Sequence, residues 1–71
     1  MPGFLARDKS KISDGETATL DLAYDTDIVT ATGVVRAFKD ENGETRWEIS
    51  TDDPQHPAIG FLPQNVLTKT G

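Results

Sequence analysis

Gly60-Phe61-Leu62-Pro63-Gln64-Asn65-Val66-Leu67, near the end of a 71-residue chain, sets a proline between two short apolar runs. Proline presets φ for a turn, and asparagine bonds nearby backbone groups. The stretch therefore predicts a strand from Ala58, one tight turn around Pro63-Gln64-Asn65, and a very short final strand. Trp47 stands sixteen residues before Pro63. The segments that precede it are short and alternating, so these two regions are where a small β-shell would close and present a surface.

Upstream, Val34 to Lys39 and Thr45 to Ser50 flank Asn42-Gly43. That dipeptide favours a type I′ turn, whose two central residues need positive φ. A two-residue loop pairs Glu41 with Glu44, which sets Phe38 opposite Trp47 and Arg36 opposite Ile49. The two aromatic rings would then share a face and stack for about 0.5–1 kcal/mol. Further back, Ile28 to Phe38 is rich in β-branched residues, and its alternation slips at Gly33, the mark of a bulge or sharp bend. Thr17 to Tyr24 alternates cleanly, with Ala18, Leu20, Leu22 and Tyr24 on one face. Asp25-Thr26-Asp27 breaks that strand, and Asp52 to Pro57, with its two prolines, reads as an exposed loop. Residues 1–13 show no sustained period and read as a loose N-terminal arm, with Phe4 and Leu5 available to pin it to the body. The fold expected is all-β: a five-stranded barrel of SH3-like or OB-like size over residues 14–71, with one 3-10 turn near Pro63.

Composition bounds the function. A chain this short buries only about 60% of the surface its unfolded form exposes. Without cysteine it has neither a disulfide nor a thiolate metal site to staple it. Cysteine usage points to a reducing, cytoplasmic setting, and no stretch approaches the roughly 20 apolar residues of a membrane span. Residues 1–11 carry Arg7, Lys9 and Lys11 against Asp8, a net of +2. Residues 12–71 carry four basic and eleven acidic side chains, a net of −7. An acidic body repels phosphate backbones, so nucleic acid is not an expected partner and a basic one fits better.

Catalysis finds little support. The only histidine, His56, lies between Gln55 and Pro57, and no nucleophile, base and orienting group can be assembled around it. Asp52-Asp53 is a solvated pair rather than an acid/base dyad, which needs a desolvated cleft to separate its pKa values. No cofactor or metal is implied.

Gly60-Phe61-Leu62-Pro63-Gln64-Asn65-Val66 resembles the closing signature of SH3 domains, in which a glycine, two apolar residues and Pro-x-Asn-Tyr form a one-turn 3-10 helix before the last strand. The spacing from Trp47 to Pro63 is similar to that family's, and Leu22-Ala23-Tyr24-Asp25 is faintly similar to its opening motif. The likeness spans residues 20–68. This chain departs from the family at Thr26, Arg46 and Val66, where the family carries aromatic residues. The resemblance implies a partner-binding groove lined by Tyr24, Trp47, Pro63 and Asn65, with Asp25 and Asp27 as an acidic loop facing a basic or proline-containing segment. Trp47 has two readings, a hairpin-packing residue or a ligand platform. The function expected is a non-catalytic protein- or peptide-binding module, an accessory piece of a larger assembly. A small structural or self-assembling protein of phage or plasmid type, forming homo-oligomers through exposed edges, is the alternative, and a nucleic-acid-binding barrel ranks below both.

Overall fold

A computed structural model describes all of residues 1–71. Its strands are β1 (Gly3–Leu5), β2 (Lys11–Ser13), β3 (Thr17–Tyr24), β4 (Asp27–Lys39), β5 (Thr45–Thr51), β6 (Ala58–Phe61) and β7 (Val66–Thr70). A 3-10 turn, Pro63–Asn65, joins β6 to β7, and there is no α-helix. β1 and β2 form a two-stranded sheet, and the other five form a sheet of order β6-β5-β4-β3-β7.

That sheet is open, which corrects the closed barrel expected from the sequence. The outer strands β6 and β7 share no ladder. β6 has only four residues before Leu62-Pro63 ends it, and the 3-10 turn carries the chain from one edge of the sheet to the other. Side chains bridge the gap instead. Tyr24 Oη donates to Gly60 O (2.6 Å), and Asn65 Nδ2 donates to Ala23 O (2.8 Å).

β3 behaves as its alternation predicts. Ala18, Leu20 and Leu22 are buried, Tyr24 is half-buried, and they pack with Ala31, Val35, Ile49 and Val66. On the opposite face Asp21 accepts hydrogen bonds from Thr30 Oγ1 and Thr68 Oγ1, both 2.7 Å, which bind three adjacent strands. These bonds, Thr68 first and Thr30 second, hold the Asp21 carboxyl below its ordinary value.

Gly33 carries no bulge. The ladder to β3 runs through it without a shift, the ladder to β5 begins at it, and inward-facing positions continue in phase from Ala31 to Val35. The glycine is required by close approach: a Cβ there would lie 1.7 Å from Ser50 O. It marks the point where the long β4 passes from pairing with β3 to pairing with β5.

The N-terminal segment is the largest departure from expectation. Instead of a loose arm, residues 3–13 are a hairpin with Phe4 opposite Ile12. Ala6 and Ile12 belong to the buried core, and Phe4 packs on Trp47 with ring centroids 4.7 Å apart at 75°. Leu5, the other residue expected to pin the segment, points away and is 59% exposed. Arg7 N–H and Asp8 N–H donate to Val66 O (2.9 Å) and Leu67 O (3.1 Å), covering part of the outer edge of β7. Glu16 completes the attachment by accepting from Ser13 N–H (2.6 Å) and pairing with Lys69 Nζ (2.9 Å).

The β4–β5 hairpin exists, but its register is displaced by one residue. Ala37, not Phe38, lies opposite Trp47, and Arg36 lies opposite Glu48. Asp40 is the cause. Its carboxylate accepts from Asn42 N–H, Glu44 N–H and Arg46 Nε, at 2.9, 2.9 and 2.8 Å. Asp40 N–H also donates to Glu44 O, and Gly43 N–H donates to Asp40 O. Gly43, at φ +79°, supplies the single left-handed residue of a three-residue loop. Because side chains alternate with period two, the displacement puts Phe38 and Trp47 on opposite faces. Phe38 is 47% exposed, while Trp47 enters the core at 8% and stacks on Phe61 at 6.5 Å.

Candidate functional site

A groove of about 550 Å³ runs between the β4–β5 hairpin and the β6–β7 connection. Phe38 and Arg46 come from the hairpin, Trp47 and Phe61 from the core beneath, Pro63 and Asn65 from the 3-10 turn, and Leu62 from the residue just before it. Tyr24 reaches it from the end of β3. Leu62 is 49% exposed and faces the same space as Phe38, so two large apolar side chains lie open to solvent there.

Four residues singled out from the sequence thus meet in one place: Tyr24, Trp47, Pro63 and Asn65. Their tasks differ. Trp47 is a core residue that lines the groove from below, not an exposed aromatic ridge. Asn65 is structural: its Oδ1 accepts from Leu62 N–H (2.8 Å) while its Nδ2 reaches Ala23 O. Pro63 occupies the first position of the turn that Asn65 N–H closes onto Leu62 O (2.8 Å). Tyr24 is fixed through its hydroxyl bond to Gly60 O, and burial raises its pKa above the ordinary 10.0.

Asp25 and Asp27 are not part of the lining. Asp25, at φ +48°, forms the tight turn between β3 and β4, and Asp27 pairs with Tyr24 across it. Both are exposed. The turn is too short to fold an acidic loop back over the groove, which corrects their placement as its charged wall.

Phe38, Leu62 and Arg46 were not foreseen as lining residues. Phe38 was hidden by the register, since a two-residue loop would have turned it toward Trp47. Arg46 holds Asp40 through Nε at 2.8 Å, yet its side chain is 51% exposed and keeps further N–H donors free of that bond. The bond from Glu44 N–H, followed by that from Arg46, holds the Asp40 carboxyl below its ordinary value.

Elsewhere His56 sits in the exposed 52–57 loop, where its imidazole makes no hydrogen bond to Asp52 or Asp53. No three His, Asp or Glu side chains converge at metal-ligand spacing. No helix is long and apolar enough to cross a membrane. Comparison of the chain with protein-family models, with curated proteins and with solved structures returns no match.

Proposed function

We propose that this chain is a non-catalytic binding module that takes an extended segment of a partner protein into the groove bounded by Phe38, Leu62, Pro63 and Tyr24. One observation carries the reading: two large apolar side chains stand half-exposed on opposite sides of a groove whose framework is otherwise fixed by hydrogen bonds. A preformed apolar groove with a few anchored polar groups is the usual form of a ligand site, and extended or proline-rich segments dock in such grooves. The polar groups on offer are the Tyr24 hydroxyl, the free donors of Arg46 and the carboxylate of Glu48. They suit a segment with apolar or proline side chains between the lips and a basic residue toward Glu48. A sheet order that sets β7 beside β3, with one 3-10 turn before it, supports an SH3-like reading of the surface. The acidic balance, net −5, favours a basic protein partner over nucleic acid. The lack of cysteine suits a cytoplasmic accessory subunit.

Affinity capture with the folded protein tests this. Phe38→Ser with Leu62→Ser removes both lips at exposed positions, so the fold should persist and a partner captured by the unaltered chain should be lost. Equal capture by the double variant, with an unchanged melting temperature, would move the site elsewhere.

A further inference from the structure

A second surface shares no residue with the groove and stands whether or not the groove is occupied. β4 runs from Asp27 to Lys39, but its neighbours change along the way. Pairing with β3 extends from Tyr24↔Asp27 to Thr17↔Val34, whereas pairing with β5 starts only at Gly33↔Thr51. From Asp27 to Thr32, then, β4 has β3 on one side and no strand on the other.

The phase of the ladder tells which groups face the uncovered side. Val35 N–H donates to Glu16 O (2.8 Å) and Val35 O accepts from Gly15 N–H (2.7 Å), so odd-numbered residues of β4 turn their backbone groups toward β3. Asp40 N–H donating to Glu44 O (2.9 Å) sets the even-numbered phase toward β5. Ile28, Thr30 and Thr32 therefore aim their N–H and C=O groups where no strand lies.

The other outer edges are partly covered, that of β7 by Arg7 and Asp8 and that of β6 by the Tyr24 hydroxyl on Gly60. Edges left open in natural sheets are usually guarded by lysine, proline or a bulge. Ile28-Val29-Thr30-Ala31-Thr32 has none of these. Ile28 is 66% exposed and Val29 37%.

Charge selects the occupant. A cleft of about 310 Å³ adjoins this edge, lined by Val29, Ala31 and Ile59 together with Asp52, Asp53 and His56. Asp27 lies at one end of the edge. Asp52 and Asp53 lie at the other, where the chain leaves β5 just past Thr51. No lysine or arginine lines the cleft. A second copy fits poorly, because antiparallel pairing centred on Thr30 brings Asp27 of one chain beside Gly33 and the Asp52 end of the other, between two bodies of net −5.

We propose that the Asp27–Thr32 edge of β4 accepts a sixth strand, an extended peptide with lysine or arginine at its ends and small apolar residues between, bonded to the backbone of Ile28, Thr30 and Thr32.

Amide hydrogen exchange on the full chain tests this, with the peptide acetyl-Lys-Val-Thr-Val-Thr-Val-Lys-amide as probe and its Glu-ended counterpart as control. At saturation the amides of Ile28, Thr30 and Thr32 should slow by about tenfold or more, while Val29 and Ala31, already bonded to β3, stay as they were. The Glu-ended peptide should bind about tenfold more weakly. Ile28→Lys, at an exposed position, should abolish protection without shifting the melting temperature, and Asp52→Asn with Asp53→Asn should weaken the lysine peptide. Equal binding of the two peptides, or no binding of either, overturns the proposal. So does protection of Ile28, Thr30 and Thr32 that grows with protein concentration alone, which would assign the edge to a second copy. Changes confined to Phe38 and Leu62 would also overturn it, while supporting the groove.

Discussion

Ile12→Ala measures how far the N-terminal hairpin belongs to the core. Ile12 is fully buried on β2, and its neighbours Phe4 and Ala6 join the cluster that holds Trp47. Truncating a fully buried isoleucine costs about 2–5 kcal/mol, from lost transfer energy and the cavity left behind. A chain of this length, at about 0.05–0.15 kcal/mol per residue, has roughly 4–11 kcal/mol in total. The substitution therefore removes a large fraction of the stability, and with about 4–8 °C lost per kcal/mol the midpoint should fall by roughly 10 °C or more. Leu5→Ala, at a 59% exposed site two residues beyond the first strand residue, should change stability by less than about 0.5 kcal/mol. Urea unfolding followed by Trp47 fluorescence, with thermal melts by circular dichroism, gives both values. If Ile12→Ala matched Leu5→Ala, the hairpin would be loosely docked and Trp47 would lack its cover.

Gly33→Ala should be among the most damaging substitutions, costing about 3 kcal/mol, because the new methyl group meets the Ser50 carbonyl where β4 is held between β3 and the end of β5; expression and melting temperature check it. Tyr24→Phe deletes the bond to Gly60 O and should cost about 1 kcal/mol in urea unfolding, while leaving the sheet order unchanged. The carboxyls of Asp8, Glu16, Asp21 and Asp40 all have lowered folded-state pKa values. For Glu16 the bond to Lys69 leads, and for Asp8 the backbone bond from Ser10. Groups lowered in the folded state contribute stability above their unfolded values, 3.8 for Asp and 4.5 for Glu, and lose it as pH falls through the folded ones. A plot of stability against pH should thus be flat near neutrality and decline below about pH 4.5, with Asp21→Asn flattening part of the fall. Tyr24 acts oppositely: its folded pKa is raised above 10.0, so its contribution is complete below pH 10.0 and is lost as pH rises beyond it.

Much of the sheet is legible in the chain, and the misses have physical causes. The half-buried face of Thr17–Tyr24 and the turn at Pro63 follow from period and proline chemistry alone. The hairpin register does not, because Asn42-Gly43 favours a two-residue loop while Asp40, two residues earlier, draws three donors to one carboxylate and widens the loop. That single step moves Phe38 from the face it was expected to share with Trp47 to the wall of the groove. The β1–β2 hairpin left no trace in periodicity because strands of three residues are too short to show one. Its anchors, Phe4 and Ile12, stand out only once Trp47 needs covering. At the site, Pro63 and Asn65 are recognisable from the motif around the turn, and Tyr24 from the Leu22-Ala23-Tyr24-Asp25 stretch. Asp25 and Asp27 enter it only as the acidic loop that the SH3 resemblance implies, and a family likeness carries no information about where this chain's tight turn points.

The most direct test of the groove is to add a captured partner to the isotopically labelled chain and map the chemical shifts. The largest changes should fall on Tyr24, Phe38, Arg46 and Leu62, with Trp47 perturbed little because it already lies in the core. Changes that spare Phe38 and Leu62 altogether would contradict the assignment of this groove as the binding surface.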